Sequence, residues 1–420
     1  MDFARSDNPA VQRQLNRLSR LSLGGEALGL ETVAELLGRL GNPERRLPPV
    51  FHVAGTNGKG STCAFLRASF EAGGLSAHVY TSPHLVRFNE RIRVAGRLVD
   101  DAALAPLLQE VLDVSGDLGA SFFEVTTAAA FLAFARVPAD ACIIEVGLGG
   151  RLDATNVIPS PAACGIAALG LDHQSFLGDT LAQIAGEKAG IARPGVPLAT
   201  LDYSPEAEAV IDDAVARTGA VRLRRGDAWD VRDSTYRDRY GAVSIPELRL
   251  PGAHQRLNAG LALAMLRHQH DVVLPEQALR AGLAAATWPA RMQQLKAGPL
   301  IGSREVWLDG GHNPSAAAAI AACLEGRRFD LVLGMLATKD SETFLHLLAP
   351  IARSVTAVPI FGHEHHEPEA LCSIASALHL PARAACDITT ALAGLDGPAL
   401  ITGSLYLAGE VLAANGQLPD

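Results

Sequence analysis

Lysine is nearly missing from this chain. Among 36 basic residues in 420, only Lys59, Lys188, Lys296 and Lys339 are lysine. Arginine supplies the generic positive charge, so each remaining lysine is a candidate for work needing a compact ammonium or an amine that can lose its proton. Charge is scarce too, at 19% against 48% hydrophobic residues, a balance that suits sheets covered on both faces. The net charge of −9 leaves no basic excess for a nucleic-acid partner. No apolar run reaches membrane-spanning length, and the best candidate, Ala128 to Ala135, is far too short. The opening residues Met1 to Asp7 have no apolar core of a signal peptide. Six cysteines are scattered without a Cys-x-x-Cys pair, which predicts free thiols in a reducing cytoplasm.

What the chain does have is organised around residues 50–62. The apolar run Val50 to Ala54 predicts a buried strand, and a helical pattern begins at Cys63. Between them lies Gly55-Thr56-Asn57-Gly58-Lys59-Gly60-Ser61-Thr62. Strand, glycine loop and helix turn backbone N–H groups and a helix N-terminus toward a phosphate chain. Lys59 would lie along the β- and γ-phosphates, and Ser61 or Thr62 could reach the accompanying magnesium. Val53 stands where the common nucleotide loop has its first glycine, so this is a shortened variant.

Further along, Ala77 to Tyr80 predicts a second strand, ending in Thr81-Ser82-Pro83. Residues 121–136 predict an apolar helix with one acid, Glu124. The run Ala141 to Val146 predicts a central parallel strand with Glu145 near its end. A carboxylate there is costly to bury unless it is paired or meets a metal. Gly147-Leu148-Gly149-Gly150-Arg151-Leu152 only half matches a dinucleotide fingerprint, since Leu152 replaces the third glycine. The apolar stretch Ala162 to Leu171 ends in Asp172-His173, readable either as metal ligands or as a cap beside a surface histidine. Helices are expected at 180–191, 205–218, 254–268 and 275–285, with a small antiparallel excursion over 220–250.

A domain boundary is expected near Trp288 to Pro299, giving residues 1–296 and 297–420. From 304 onward strands and helices alternate again, with strands near 305–309, 329–334, 354–360 and 398–402. The fold class is therefore α/β: a mostly parallel, phosphate-loop-containing ATPase domain and a second, smaller Rossmann-like α/β domain. Two tempting motifs are incomplete. His363-Glu364-His365-His366-Glu367 lacks the second histidine of a zinc-protease helix and follows a loop signal. Gly403-Ser404-Leu405 lacks the second glycine of a nucleophile elbow.

Taken together, nine segments resemble the folylpolyglutamate synthase family of the Mur ligase superfamily, in the family's order from about Leu28 to Leu412. They are Gly55 to Ser61, Thr81 to Leu85, Arg87 to Arg91, Glu145 to Asn156, Asp172-His173, Gly186 to Ile191, His254 to Asn258, Pro289 to Arg291 and Asp309 to Asn313. The resemblance implies a Mur ligase-like central domain and a transfer of the ATP γ-phosphate to a pteroate or folate carboxylate. L-glutamate then attacks the acyl phosphate to form an amide. It further implies that Gly55, Thr56, Asn57, Gly58, Lys59, Gly60 and Ser61 hold the ATP phosphates. Asn258, Arg291 and Asp309 would contact ATP from the far side of a cleft.

Ser82, Glu145 and His173 would hold magnesium, two ions being implied, with a potassium ion as a further ligand of the family. Lys188 matches a lysine carried as a carbamate, and His312 joins Lys59 and Lys188 in catalysis. Dihydropteroate or a folate would lie along Leu28, Gly29, Leu30 and Glu31, along Ser121, Phe122, Phe123 and Glu124, and along Leu152, Asp153 and Ala154. Arg91, His312 and Ser404 would meet glutamate. A monomer is expected. A Mur ligase acting on a nucleotide-linked peptide is the nearest rival, but it needs a whole domain before the loop, where 54 residues stand here. A nucleotide-gated regulator without turnover is the rival of another class, and the full set Lys59, Ser82, Glu145 and His173 speaks against it.

Overall fold

The computed structural model describes residues 5–21 and 29–420. Leu28, expected at the pterin site, lies outside them. The chain forms two compact units. The larger runs up to Arg249 and includes Gln255–Thr287, and the smaller comprises Leu250–His254 and Trp288–Asp420. The boundary expected after Lys296 thus falls inside the smaller unit, because Gln293–Gln294 already pairs with that unit's sheet.

The larger unit is built on β1 (Val50–Ala54), β2 (Ala77–Tyr80), β3 (Ile92–Val94), β4 (Arg97–Leu98), β5 (Ala141–Glu145), β6 (Ala163–Ile166), β7 (Pro197–Thr200) and β8 (Val221–Arg224). Their order across the sheet is β4-β3-β2-β5-β1-β6-β7-β8. All pairings from β2 to β8 are parallel, and β3 and β4 add an antiparallel edge. Every residue of β1, β2, β5 and β6 is buried, as parallel strands covered on both faces must be. One face packs against helices Asp101–Ser115 and Phe122–Arg136. The same face, toward β6 and β7, carries helices Leu181–Ala189 and Pro205–Thr218, while the opposite face meets helix Lys59–Ala72, where Phe51 packs on Phe70, and helix Ala253–Arg267, where Gly165 faces Met265. His52 sits in the middle of β1 because Thr155 Oγ1 lies 2.9 Å from its Nε2. Burial pushes the His52 imidazole down to about 3, helped by Arg193, so the buried ring is neutral.

Residues 220–250 divide between two sheets. β8 joins the large sheet in parallel, and only β9 (Trp229–Arg232), β10 (Thr235–Asp238) and β11 (Gly241–Ser244) make the expected antiparallel excursion. The smaller unit has its own sheet of β12 (Gln293–Gln294), β13 (Val306–Leu308), β14 (Phe329–Leu333), β15 (Ala352–Ala357), β16 (Ala382–Ala384) and β17 (Ala399–Thr402). Its order is β12-β13-β17-β14-β15-β16, parallel except for β12. Among the described residues no helix is long and apolar enough to cross a membrane.

Candidate active site

In an open parallel sheet the carboxyl ends of the strands share one edge, where ligands collect. In the larger unit β1 lies between β5 and β6. Val53 is level with Glu145, and Tyr80 of β2 is level with Ile144. Strands about 4.8 Å apart therefore bring the phosphate loop, Glu145, the Thr81-Ser82 turn and the segment after β6 to one edge. The Ser82–Pro83 peptide is cis.

The loop is tied down from both sides. The N–H groups of Thr56 and Asn57 donate to Ala168 O at 2.8 and 3.1 Å. Thr56 Oγ1 donates to Gly170 O at 3.0 Å and lies 3.2 Å from the Gly170 N–H. Gly58 has φ +87°, and a Cβ there would stand 2.5 Å from Asn258 Oδ1, so only glycine fits. Asn258 is itself held by its side-chain NH2 donating to Gln255 Oε1 at 3.0 Å. It belongs to the same unit as the loop, not to an opposing side as expected. Helix Lys59–Ala72 begins at the lysine, so the first N–H groups of a helix face the loop mouth. Of the two hydroxyl candidates, Thr62 donates to Gly58 O at 2.9 Å, and Ser61 is buried in the first turn of the helix.

Two lysine heads meet at one oxygen. Lys59 Nζ donates to Gly55 O at 3.0 Å and lies 3.4 Å from Thr56 O. Lys188 Nζ donates to the same Gly55 O at 3.0 Å. Lys188 is buried because its helix, Leu181–Ala189, presses on Gly150. A Cβ at Gly150 would lie 2.7 Å from Glu187 O and 3.0 Å from Lys188 Cα. Burial pushes the Lys188 amine down to about 7, and the Lys59 charge adds to this against Asp172, Asp153 and Glu187. Glu145 is only 5% exposed. Burial raises the Cys63 thiol, the Glu145 charge adds to this and Lys59 opposes it, so carboxylate and ammonium both act at the first turn of the loop helix.

The donor set around the loop fits a magnesium ion. Magnesium uses one or two carboxylates, with substrate phosphates and water completing the shell. Glu145 supplies a carboxylate, with the Ser82 hydroxyl two residues beyond β2. Among the described residues no three His, Cys, Asp or Glu side chains gather into a closed metal cage, the arrangement a phosphate-bound ion does not need. His173 has φ +52° and starts the short helix Gln174–Leu177. Its Nε2 is 3.9 Å from Asp172 Oδ1, and half of its side chain is exposed.

The expected pterin residues converge in part. Helix Glu31–Arg39, which begins just after Gly29 and Leu30, packs on helix Phe122–Arg136, and both touch the turn Ala154–Val157. Ser121 caps its helix, and Glu124 Oε2 accepts from Ser121 N–H at 2.8 Å and Oγ–H at 2.7 Å. Asp153 is buried, accepting from Leu148 N–H at 2.8 Å and Thr155 N–H at 3.0 Å. Burial raises its carboxyl. Ser121, Glu124 and Asp153 thus shape this wall. Phe122 packs into the core, Phe123 lies over Gly147, and Leu152 sits in the turn before Asp153. Arg91 is 1% exposed, donates from Nε to His84 Nδ1 at 2.8 Å, and lies over Phe88 and Phe122.

In the smaller unit, β13 and β17 are parallel neighbours, so Asp309–His312 and Ser404 leave adjacent strand ends. Asp309 accepts from Met292 N–H at 2.8 Å and Gly311 N–H at 2.7 Å. Arg291 Nη1 reaches the same turn at Gly310. His312 Nδ1 donates to Gly310 O at 3.0 Å. Ser404 Oγ accepts from Tyr406 N–H at 3.1 Å. His254 is absent from the sequence-derived set; burial lowers its imidazole, Asp309 opposes this and Arg291 adds to it. The signal was its place at the head of the His254 to Asn258 segment. The His363 to Glu367 stretch is a loop, as expected, with a single bridge from His365 to Leu336.

No protein-family model matches the chain. Whole-chain comparison does. A folylpolyglutamate synthase from Lacticaseibacillus casei is 35% identical over 406 residues, covering 90% of this chain and 92% of the relative. The chain belongs to the folylpolyglutamate synthase family. The dihydrofolate synthase/folylpolyglutamate synthase of Escherichia coli is 37% identical over 343 residues, covering 80% of this chain and 78% of that protein. Among solved structures of this family, E. coli FolC in complex with DHPP and ADP superposes with a TM-score of 0.86 at 31% identity, over 98% of both chains. The Mycobacterium tuberculosis folylpolyglutamate synthase complexed with ADP and AMPPCP gives 0.89 at 31% identity, over 98% of this chain and 99% of that one. A further bifunctional structure of the family, with Mn, AMPPNP and L-glutamate bound, gives 0.85 at 31% identity, over 98% and 99%.

Proposed function

We propose that the chain is an ATP-dependent ligase that joins L-glutamate to dihydropteroate and to folates. The observation that carries this reading is the meeting of Lys59 and Lys188 at Gly55 O, on the sheet edge that also bears Glu145. A carboxylate does not acylate an amine unaided, because it has no viable leaving group. Phosphorylation supplies one. The carboxylate oxygen bonds to the γ-phosphorus of ATP as the bond from that phosphorus to the β,γ-bridging oxygen breaks and ADP departs. The glutamate amine then forms the C–N bond, inorganic phosphate leaves with the C–O electrons, and the nitrogen loses its proton.

Work of this kind is positioning and charge neutralisation. The N–H groups at the start of helix Lys59–Ala72 receive the phosphates, and Lys59 swings from Gly55 O to the transferring group. Asn258 keeps the loop closed at Gly58. Ser82, Glu145 and His173 would hold magnesium, two ions in our reading, with a potassium ion as an accessory. When bound, magnesium neutralises charge on the β- and γ-phosphate oxygens. Lys188, whose amine is partly deprotonated near neutral pH, can take up CO2 as a carbamate and turn a cation into an anion at this edge. Gly29, Leu30, Glu31, Phe122, Phe123, Leu152 and Ala154 line the pterin side, shaped by Ser121, Glu124 and Asp153. Arg91, buried beside His84, is read as a contact for glutamate from the larger unit. In the smaller unit Arg291 and Asp309 serve the nucleotide, and His312 and Ser404 serve glutamate. Six free cysteines fit a reducing cytoplasm, and we read the chain as a monomer there.

The decisive assay supplies ATP, magnesium, glutamate and either dihydropteroate or tetrahydrofolate, with products read by mass. Phosphate release that needs both the pteroate compound and glutamate, with one glutamyl mass added, is the expected result. Release without glutamate, or none with either acceptor, overturns the proposal. The carbamate is tested by Lys188→Ala, whose full activity without added small acids would remove it.

A further inference from the structure

β6 and β7 pair only as far as Ile166 and Thr200. Beyond that point β7 turns away, and the chain after β6 runs on through Ala167–Gly170 to Asp172 and His173. The strand pairing with β7 does not continue along that arm. Tyr203 fills the gap. Its hydroxyl donates to Ile166 O at 2.5 Å, lies 3.1 Å from Ala167 O, and accepts from Leu201 N–H at 3.2 Å. The ring, like Leu169, packs against the core that Ala54, Cys164 and Ile166 share. Tyr203 is fixed from behind by its own N–H donating to Glu208 Oε1 at 2.8 Å, and Glu208 is gripped by Arg222.

The opposite edge of the same arm holds the phosphate loop. Ala167 N–H donates to Ala54 O at 2.8 Å, and Ala168 O takes both the Thr56 and Asn57 N–H groups. Gly170 exchanges hydrogen bonds with Thr56 Oγ1. One short arm therefore touches the loop on one side and the tyrosine on the other. We propose that Tyr203 is a positioning residue for the nucleotide: its hydroxyl stands in for the departed strand and fixes the arm that braces Thr56 and Asn57. Nothing in Tyr203 touches the reacting groups, so its effect runs through the arm to the loop.

This inference rests on reading Gly55–Ser61 as a phosphate loop, and the test separates the two. Magnesium-ADP binding is measured by calorimetry on the full chain as wild type, as Tyr203→Phe and as Val215→Ala. The phenylalanine keeps the ring and deletes the hydroxyl. Val215→Ala trims the same apolar cluster and controls for lost stability. Deleting the hydroxyl leaves buried carbonyls without their partner, so Tyr203→Phe should weaken magnesium-ADP binding about tenfold. The KM for ATP should rise in step while that for dihydropteroate stays put, and Val215→Ala should bind as wild type does. Unchanged binding in Tyr203→Phe, or equal weakening in both variants, overturns the inference. Failure of Tyr203→Phe to fold overturns it as well, since the hydroxyl would then support the unit as a whole. Absence of magnesium-ADP binding in wild type would instead refute the phosphate-loop reading itself.

Discussion

At the scale of single residues, the chain's economy with lysine was informative. Two of the four lysines meet at Gly55 O, and neither could have been exchanged for arginine, whose guanidinium is bulkier and does not give up its proton. Lys59→Ala and Glu145→Gln should each lower turnover by about a hundredfold or more, with phosphate release as the measure and circular dichroism unchanged. Lys188 makes a second expectation, in pH. Its folded-state value is about 7 against an ordinary 10.5. Between those values the unfolded chain holds a proton that the folded chain does not, so folding stability rises with pH across this window. It is lost as pH falls toward 7 and is flat below. Lys188→Met removes the dependence, so its stability advantage over wild type in urea unfolding should be greatest at and below pH 7 and shrink as pH rises. Sequence pointed to Lys188, but the partner that exposes its state, a carbonyl 133 residues away in the chain, was invisible there.

At the scale of elements, spacing and hydrophobic pattern located most strands and helices, because fully apolar runs and glycine turns are local signals. The short edge strands β3, β4, β12 and β16 escaped, since two or three residues carry no periodicity. So did the split of residues 220–250, because whether β8 joins a parallel edge depends on β7 being there to receive it. Packing between elements sets its own test. Helix Glu276–Ala285 lies so close to the loop helix that a Cβ on Gly282 would fall 2.4 Å from Ser69 Cα and 2.5 Å from its N. Backbone cannot yield as a side chain does. Gly282→Ala should therefore cost about 2–3 kcal/mol, read as a lower urea midpoint. The capping box at Ser121 is gentler. Ser121→Ala should cost about 1 kcal/mol and raise the KM for dihydropteroate more than that for ATP.

For the whole molecule, binding and stability are linked. Magnesium-ADP at a hundred times its Kd should stabilise the chain by about 2.7 kcal/mol, seen as a raised melting temperature, and Lys59→Ala should abolish most of that gain. Because the chain forms two units, the shift should appear in the transition of the larger one if calorimetry resolves two. The sequence by itself determined the alternation of strand and helix, the phosphate loop, and the family to which the chain belongs, because each is carried by neighbouring residues. Tertiary structure alone decided which atoms those residues would meet. It set two ammonium groups on one carbonyl, seated Asn258 under Gly58 in the loop's own unit, and gave Tyr203 the place of a missing strand. Those are contacts between segments far apart in the chain, fixed by close packing rather than by local pattern.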